Sequence, residues 1–142
     1  MDRIVQDVMT TDLVTVDISD SAQEAARRML ENGTGDVLVT EAGALRGIVT
    51  DRDLAVRLVA EGRDASTPVR ELVSAGLVSC PPQASLQQAV QMMKENDVRR
   101  VPVVDGDRPV GVLSIGDLAL LADSGDLLRD ISMAPDSETG QG

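Results

Sequence analysis

Two short stretches of the sequence place a hydroxyl residue three positions before an aspartate. One reads GIVTDRDL and the other, 64 positions later, reads GVLSIGDL. In each, an aliphatic run typical of a strand ends at Thr50 or Ser114, and a predicted helix carries Asp53 or Asp117 in its first turn. An ionised carboxylate only accepts hydrogen bonds, so it can accept from both hydroxyls of a sugar diol. The free N–H groups at a helix start also suit an anionic group.

A structural role is also open for each motif taken singly, although the duplication favours sugar binding in at least one of them. A Ser or Thr directly before a helix, followed by an acidic residue in the first turn, is also an ordinary N-cap arrangement. Capping and sugar binding can coexist at one motif. The residue types alone therefore leave two interpretations, a cap or a binding site.

The composition removes several classes of chemistry. The 142 residues include no histidine, no aromatic residue and one cysteine, Cys80. The chain thus lacks the commonest general acid/base and metal ligand, and it lacks stacking platforms for exposed bases. A formal net charge of −11 argues against direct nucleic-acid binding and against an anionic membrane surface as partner. The lone cysteine, with no apolar span or signal peptide, predicts a cytoplasmic protein.

The two stretches belong to a longer internal repeat. Adding 64 to each residue number aligns residues 5–54 with 69–118 without a gap, and many pairs are identical or close in kind. Each copy should therefore form the same elements, in the order strand, helix, strand, strand, helix. One copy is too small to bury both faces of its sheet, so the two should pack about a pseudo-twofold axis.

Hydrophobic period and turn residues place the elements. The predicted strands are residues 13–16, 36–40, 45–50, 77–80, 99–104 and 108–114. The predicted helices are residues 19–32, 51–61, 84–96 and 115–122. Ser19, Asp20 or Ser21 would cap the first helix, whose predicted buried face is Ala22, Ala25, Ala26, Met29 and Leu30.

These elements predict a mixed α/β (α+β) fold in two repeats. The first repeat is predicted over residues 1–64 and the second over residues 65–123. Residues 124–142 are predicted to add a helical turn and then a disordered tail, because APDSETGQG has almost nothing to bury.

The repeat resembles a pair of CBS domains, the arrangement called a Bateman module. The likeness rests on the element order, on Gly-aliphatic-aliphatic-Ser/Thr-x-x-Asp in both copies, and on RRVPVV in the second. It covers residues 1–123, so the chain looks like a stand-alone CBS-pair protein. The resemblance implies two clefts between the repeats for an adenosine-containing ligand: AMP, ADP, ATP, NAD(H) or S-adenosylmethionine. It also implies a homodimer and no required cofactor beyond that regulatory ligand.

The resemblance further implies that the two clefts differ. In the family, a basic pair at the start of the RRVPVV-type strand reaches ligand phosphates across the module, and here that pair is Arg99 and Arg100. They would face the phosphates of a ligand whose sugar lies on Thr50 and Asp53.

The other cleft would have no such basic pair. A sugar on Ser114 and Asp117 would look toward Gly35 and Asp36, the aligned positions of the first copy. Because a carboxylate repels phosphate, that cleft is expected to be empty or to take a less anionic adenosyl compound.

Aliphatic residues and one more arginine complete the predicted site. Since the chain has no aromatic side chain, a purine would lie between aliphatic ones, although most of these are also core candidates. They are Val14, Val16, Val37 and Val101. Arg52 is a further phosphate candidate, and the alternative for it is an ordinary solvated arginine on a helix.

Three classes of function compete. The leading one is a regulatory sensor that binds an adenosyl ligand and signals to an unknown protein partner. The alternative is a ligand-free module for dimerisation or protein interaction, which nucleotide-dependent thermal stabilisation would separate from the first. An enzyme ranks last, because the sequence has no Ser-His or Cys-His arrangement and no metal cluster.

Overall fold

The computed structural model describes residues 3–73 and 77–124. These residues form a mixed α+β fold, as predicted, and divide into two compact units. The repeat-1 unit holds described residues within 12–78 and 104–109, and the repeat-2 unit holds those within 1–11, 79–103 and 110–142. The predicted boundaries at residues 64 and 123 stay predictions.

The chain alternates short helices and strands. In chain order they are α1 (Val5–Val8), β1 (Thr15–Asp17), α2 (Ala22–Asn32), β2 (Asp36–Glu41), β3 (Ala44–Thr50), α3 (Asp51–Asp53), a π-helix (Leu54–Val59), a 3-10 turn (Val69–Glu71), α4 (Leu86–Asn96), β4 (Arg100–Asp105), β5 (Arg108–Ser114) and α5 (Ile115–Ser124). Among the described residues, no helix is long and apolar enough to cross a membrane.

The repeat-1 unit is built on a three-stranded sheet. Strand β1 runs parallel to β2, and β2 pairs antiparallel with β3. Val37 lies opposite Val49 in that ladder, and both are fully or almost fully buried. A tight turn at Ala42 and Gly43, both with positive φ, reverses the chain between β2 and β3. The sheet is covered by α2, and apolar residues from both form the core of this unit.

Helix α2 buries a narrower face than its sequence predicts. Ala22, Ala25 and Met29 are buried as expected, whereas Ala26 is exposed and Leu30 is 83% exposed. The prediction was therefore wrong for the last two residues. A helix advances about 100° per residue, so positions one step beyond Ala25 and Met29 turn toward the edge of the face.

Helix α4 and the parts of β4 and β5 over residues 100–103 and 110–114 lie in the repeat-2 unit, whereas the turn of this β4–β5 hairpin, within residues 104–109, belongs to the repeat-1 unit. Gly106, in the predicted Asp-Gly turn, adopts a φ of 71° between the two strands. The predicted strand over residues 77–80 is reduced to one parallel bridge between Cys80 and Val103. Proline cannot donate a ladder hydrogen bond, and Pro81 follows directly, so pairing stops there.

The helix predicted over residues 51–61 changes its winding. One turn of α-helix, α3, is followed by π-helical residues Leu54–Val59. The wider winding shows in the bond from the Ala60 N–H to the Ala55 carbonyl, which spans five residues. The C-terminal segment predicted over residues 124–142, with its helical turn and disordered tail, lies almost wholly outside the described residues.

Candidate functional site

The first motif lies where β3 ends at Thr50 and α3 begins at Asp51. Its two polar side chains bond to each other's backbone. The Asp53 N–H donates to Thr50 Oγ1 at 3.0 Å, and the Thr50 N–H donates to Asp53 Oδ2 at 2.9 Å. This reciprocal pair is a capping box, and it satisfies two N–H groups that the helix start would otherwise leave unpaired.

The second motif repeats this geometry between β5 and α5. The Asp117 N–H donates to Ser114 Oγ at 3.1 Å, and the Ser114 N–H donates to Asp117 Oδ2 at 3.0 Å. The capping interpretation is therefore confirmed at both motifs. Whether either motif also holds a sugar stays a prediction.

The two carboxylates differ in what meets their second oxygen. Asp53 Oδ1 lies 3.7 Å from Nε of Arg57, which is one helical turn further along the chain. The Arg57 side chain is exposed to solvent. Asp117 Oδ1 instead accepts a hydrogen bond from Thr10 Oγ1 at 3.3 Å. One motif therefore places a cation beside its carboxylate and the other a neutral hydroxyl.

Each capping box leaves acceptor capacity on its aspartate. A carboxylate offers about four lone-pair directions, and the box uses one oxygen once. Its bond to a backbone N–H also holds one oxygen of the carboxylate in place. Both aspartates are half-buried, so each combines an anchored orientation with access to solvent.

The start of the preceding strand adjoins the motif within each unit. The Asp51 N–H donates to the Gly35 carbonyl at 2.8 Å, and at the equivalent position the Ile115 N–H donates to the Arg99 carbonyl at 3.0 Å. A Cβ on Gly35 would lie 3.0 Å from a carboxylate oxygen of Asp51. The backbone at residue 35 or 99 is thus a fixed neighbour of the motif in its own repeat.

The predicted phosphate-binding arginines lie at this strand start. Arg99 and Arg100 are exposed at the beginning of β4, in the repeat-2 unit. Thr50 and Asp53 belong to the repeat-1 unit. The prediction that this arginine pair serves a ligand on Thr50 and Asp53 stays a prediction, as does the role of exposed Arg52.

The valines predicted to grip a purine are mainly core residues. Val16, Val37 and Val101 are 2%, 1% and 0% exposed, and Val14 is partly buried against the repeat-1 core. The aligned Asp36 accepts a hydrogen bond from Thr34 Oγ1 at 3.4 Å. Contact of these valines with a ligand stays a prediction.

The glycine that opens each motif has a packing role that sequence reasoning missed. A Cβ at Gly111 would lie 3.0 Å from the Thr10 carbonyl oxygen and 2.8 Å from Met9 Cγ. A Cβ at Gly47 would lie 3.0 Å from the side chain of Val73. Each glycine therefore lets the opening residues of the other repeat copy pass close to the strand.

Sequence reasoning also missed Thr10. The signal that could have found it is the repeat itself, because the offset of 64 pairs Met9 with Val73, the two residues that press on the motif glycines. The opening residues of each copy were therefore candidate neighbours of the motif in the other copy.

The pKa values of Asp17, Asp64 and Cys80 are shifted from their ordinary values. The Ser19 hydroxyl lowers the pKa of Asp17, and the Ser66 backbone N–H lowers the pKa of Asp64. Burial raises the pKa of the Cys80 thiol. Across residues 3–73 and 77–124, no group of three His, Cys, Asp or Glu side chains is arranged to hold a metal ion.

The repeat and its fold agree with comparison to known proteins. The family model of the CBS domain matches residues 5–60 and again residues 69–123. This chain belongs to the CBS-domain family.

One relative is the CBS domain-containing protein YhcV of Bacillus subtilis, 46% identical over 116 residues that span 82% of this chain and 83% of that protein. A CBS domain protein from Pyrobaculum aerophilum, solved in complex with AMP, is 21% identical with a TM-score of 0.80 over 93% of this chain and 100% of its own. The CBS domain pair of MJ0100, solved with 5′-methylthioadenosine and S-adenosyl-L-methionine, is 21% identical with a TM-score of 0.79 over 88% of this chain and 99% of its own.

Proposed function

We propose that this protein is a regulatory module that binds an adenosine-containing ligand through its duplicated hydroxyl–carboxylate motif. The ligand classes are AMP, ADP, ATP, NAD(H) and S-adenosylmethionine. The observation that carries the proposal is that the same anchored carboxylate is built twice, on Asp53 and Asp117, in a CBS pair. The adenosyl ligands bound by the two structural neighbours support the class.

The chemistry of each motif suits the sugar of such a ligand. A ribose diol presents two O–H donors, and a half-buried carboxylate with one oxygen held by a capping box offers acceptors for them. No covalent step is involved, and we propose binding rather than catalysis. The absence of histidine and of aromatic residues from the whole sequence favours this over acid–base chemistry.

Regulation requires that the ligand favour one arrangement of the protein over another. We propose that an adenosyl compound does so, and that a homodimer or a separate protein partner reads the change. Adenine nucleotides are metabolites of the cytoplasm, and the proposal assigns the module to that compartment. Light scattering with and without ligand would report whether association depends on the ligand.

The missing aromatic residues make a direct test possible. With no Trp or Tyr, the purified protein should be almost transparent above 250 nm, so a band near 260 nm after nuclease treatment and desalting reports a retained nucleotide. Mass spectrometry of a denatured extract would then name it. The proposal predicts an adenine-containing compound, and a different class of compound would contradict it.

The ligand-free alternative rests on a specific observation, because the capping boxes already explain why each Asp is present. If the spectrum is flat, thermal unfolding with added AMP, ATP, NAD and S-adenosylmethionine separates the two functions. A ligand that binds only the folded state raises the midpoint, by about 2.7 kcal/mol of stability at one hundred times its dissociation constant. No shift with any of them supports a dimerisation or docking module.

A further inference from the structure

The segment of residues 3–10, at the start of the first repeat, belongs to the repeat-2 unit. Its backbone bonds to residues before and within α4 and β5, at four places. These bonds join Val5 N–H to the Ala84 carbonyl (2.8 Å), Gln6 N–H to the Pro82 carbonyl (3.0 Å), Leu86 N–H to the Arg3 carbonyl (3.2 Å), and Thr10 with Val112 in both directions (2.9 Å each). Residues 3–6 are therefore bonded to the segment that leads into α4 and to its first residue, and Thr10 is bonded to β5, the strand that ends at the second motif.

The last of these contacts brings a side chain to the motif. With its backbone fixed to Val112, Thr10 directs its hydroxyl to Asp117 Oδ1 at 3.3 Å. The other oxygen, Oδ2, accepts from the Ser114 N–H. Each oxygen of the Asp117 carboxylate therefore has one donor, and together these two donors limit rotation of the carboxylate about its own bond.

We propose that Thr10 is a positioning residue for Asp117, and that the N-terminal segment thereby completes the ribose-binding group of the second repeat. This inference rests on the proposed function. The Thr10 hydroxyl donates to Asp117 and keeps its own lone pairs. It can therefore accept from one hydroxyl of a diol while Asp117 accepts from the other. The second motif then presents a hydroxyl and a carboxylate side by side.

The first motif is built differently, and so Thr10 should matter for one motif only. The second oxygen of Asp53 faces the guanidinium of Arg57 at 3.7 Å, on the same helix and not on a preceding segment. Loss of the Thr10 hydroxyl should therefore affect binding at Asp117 and leave the Asp53 motif unchanged.

The test uses the full chain with Asp53→Asn, so that only the second motif keeps its carboxylate. Thr10→Val removes the hydroxyl but keeps the shape of the side chain and the backbone bonds to Val112. Valine also suits an extended backbone as well as threonine does. Thr10→Ser retains the hydroxyl, and Thr11→Val is a matched control at the next, also exposed, threonine. Calorimetry measures affinity for adenosine and for 2′,3′-dideoxyadenosine, neither of which carries a phosphate, and thermal unfolding checks that each variant folds.

The inference predicts that Thr10→Val weakens adenosine binding about 3- to 10-fold, the usual loss for one hydrogen bond. Thr10→Ser and Thr11→Val should stay within about two-fold of the parent, and binding of the dideoxy compound should be unchanged by all three. Equal adenosine affinity for Thr10→Val and its parent, or equal losses for both nucleosides, would overturn the inference while leaving the proposed function intact. Failure of the Asp53→Asn parent to bind adenosine would overturn the proposed function at this motif as well.

Discussion

The glycine at the start of each motif is explained by packing and not by ligand chemistry. Gly111 lies in β5 beneath the Thr10 backbone, and Gly47 lies in β3 beneath Val73. In both places an added methyl group would press on the opening residues of the other repeat copy. The Gly and the Asp of the motif therefore serve different purposes, although both recur at the same spacing.

Gly111→Ala should lower the free energy of unfolding by about 1–3 kcal/mol, because the added carbon meets a backbone carbonyl oxygen that cannot move aside cheaply. Gly116→Ala is the control. It lies in helix α5, where a Cβ would have only an ordinary contact at 3.5 Å, and alanine should raise stability by up to about 1 kcal/mol. Urea unfolding followed by circular dichroism measures both. Equal effects of the same sign would contradict the packing account.

At the scale of elements, the equivalent helices α2 and α4 end differently. Both begin at a serine cap, Ser21 and Ser85, whose side chain accepts from the N–H three residues later. Helix α2 then ends at Gly33 with a φ of 61°, and α4 ends at Asp97 with a φ of 54°. Glycine adopts this left-handed conformation without steric cost, whereas aspartate does not.

Exchanging the two C-caps should therefore have opposite effects. We expect Asp97→Gly to raise the free energy of unfolding by about 0.5–1 kcal/mol and Gly33→Asp to lower it by a similar amount. A Cβ added at Gly33 would meet no atom within 4 Å, so no steric clash of that carbon contributes to the effect of Gly33→Asp. A loss of stability with Asp97→Gly, measured by urea unfolding, would show that its side chain contributes more than its backbone costs.

How well the elements could be predicted depended on whether the sequence carries a local signal for them. Strands β2 to β5 alternate aliphatic residues between turns that contain glycine, and α2 and α4 carry a serine cap, so all six were predicted to within a few residues. The π-helix after α3 has no such local signal, and its buried residue, Leu58, packs into the core of the repeat-1 unit. Helix α1 is only one turn long and is fixed by bonds to residues distant in sequence.

The site was predictable to the same extent. The box formed by Thr50 and Asp53 follows from local spacing and could be read directly. The contact of Thr10 with Asp117 joins residues 107 positions apart, and no local pattern encodes it. The exposed Leu30 shows the same limit, since burial is decided by the elements that cover a helix face.

At the scale of the whole molecule, the single cysteine offers an internal probe of unfolding. Cys80 is 2% exposed, forms the bridge to Val103, and its thiol pKa is raised above the ordinary value of 9.0 by burial. Only a thiolate reacts readily with disulfide reagents, so the native protein should react slowly at pH 8. Reactivity should rise with urea in step with the loss of circular dichroism. Immediate labelling of the native protein would contradict the burial of Cys80.

The same thiol predicts how stability responds to alkali. A folded-state pKa above the unfolded value means that the folded state holds its proton longer. Stability should therefore be unaffected below about pH 8 and should fall as the pH rises past the ordinary thiol value. The chain has no tyrosine, so no phenol titrates in this range. The urea midpoint of Cys80→Ala should fall less between pH 8 and pH 10, and an equal fall in both proteins would contradict the prediction.

The most direct test of the proposed function is calorimetric titration of AMP into the wild-type protein and into the Asp53→Asn, Asp117→Asn double variant. Asparagine preserves shape and can still accept a capping bond, but it lacks the charge that strengthens bonds to a diol. We expect AMP to bind the wild type and the double variant to bind it about 10- to 100-fold more weakly, the usual range for a hydrogen bond to a charged group. Equal AMP affinity in the two proteins would contradict the assignment of the duplicated carboxylates as the ligand-binding groups.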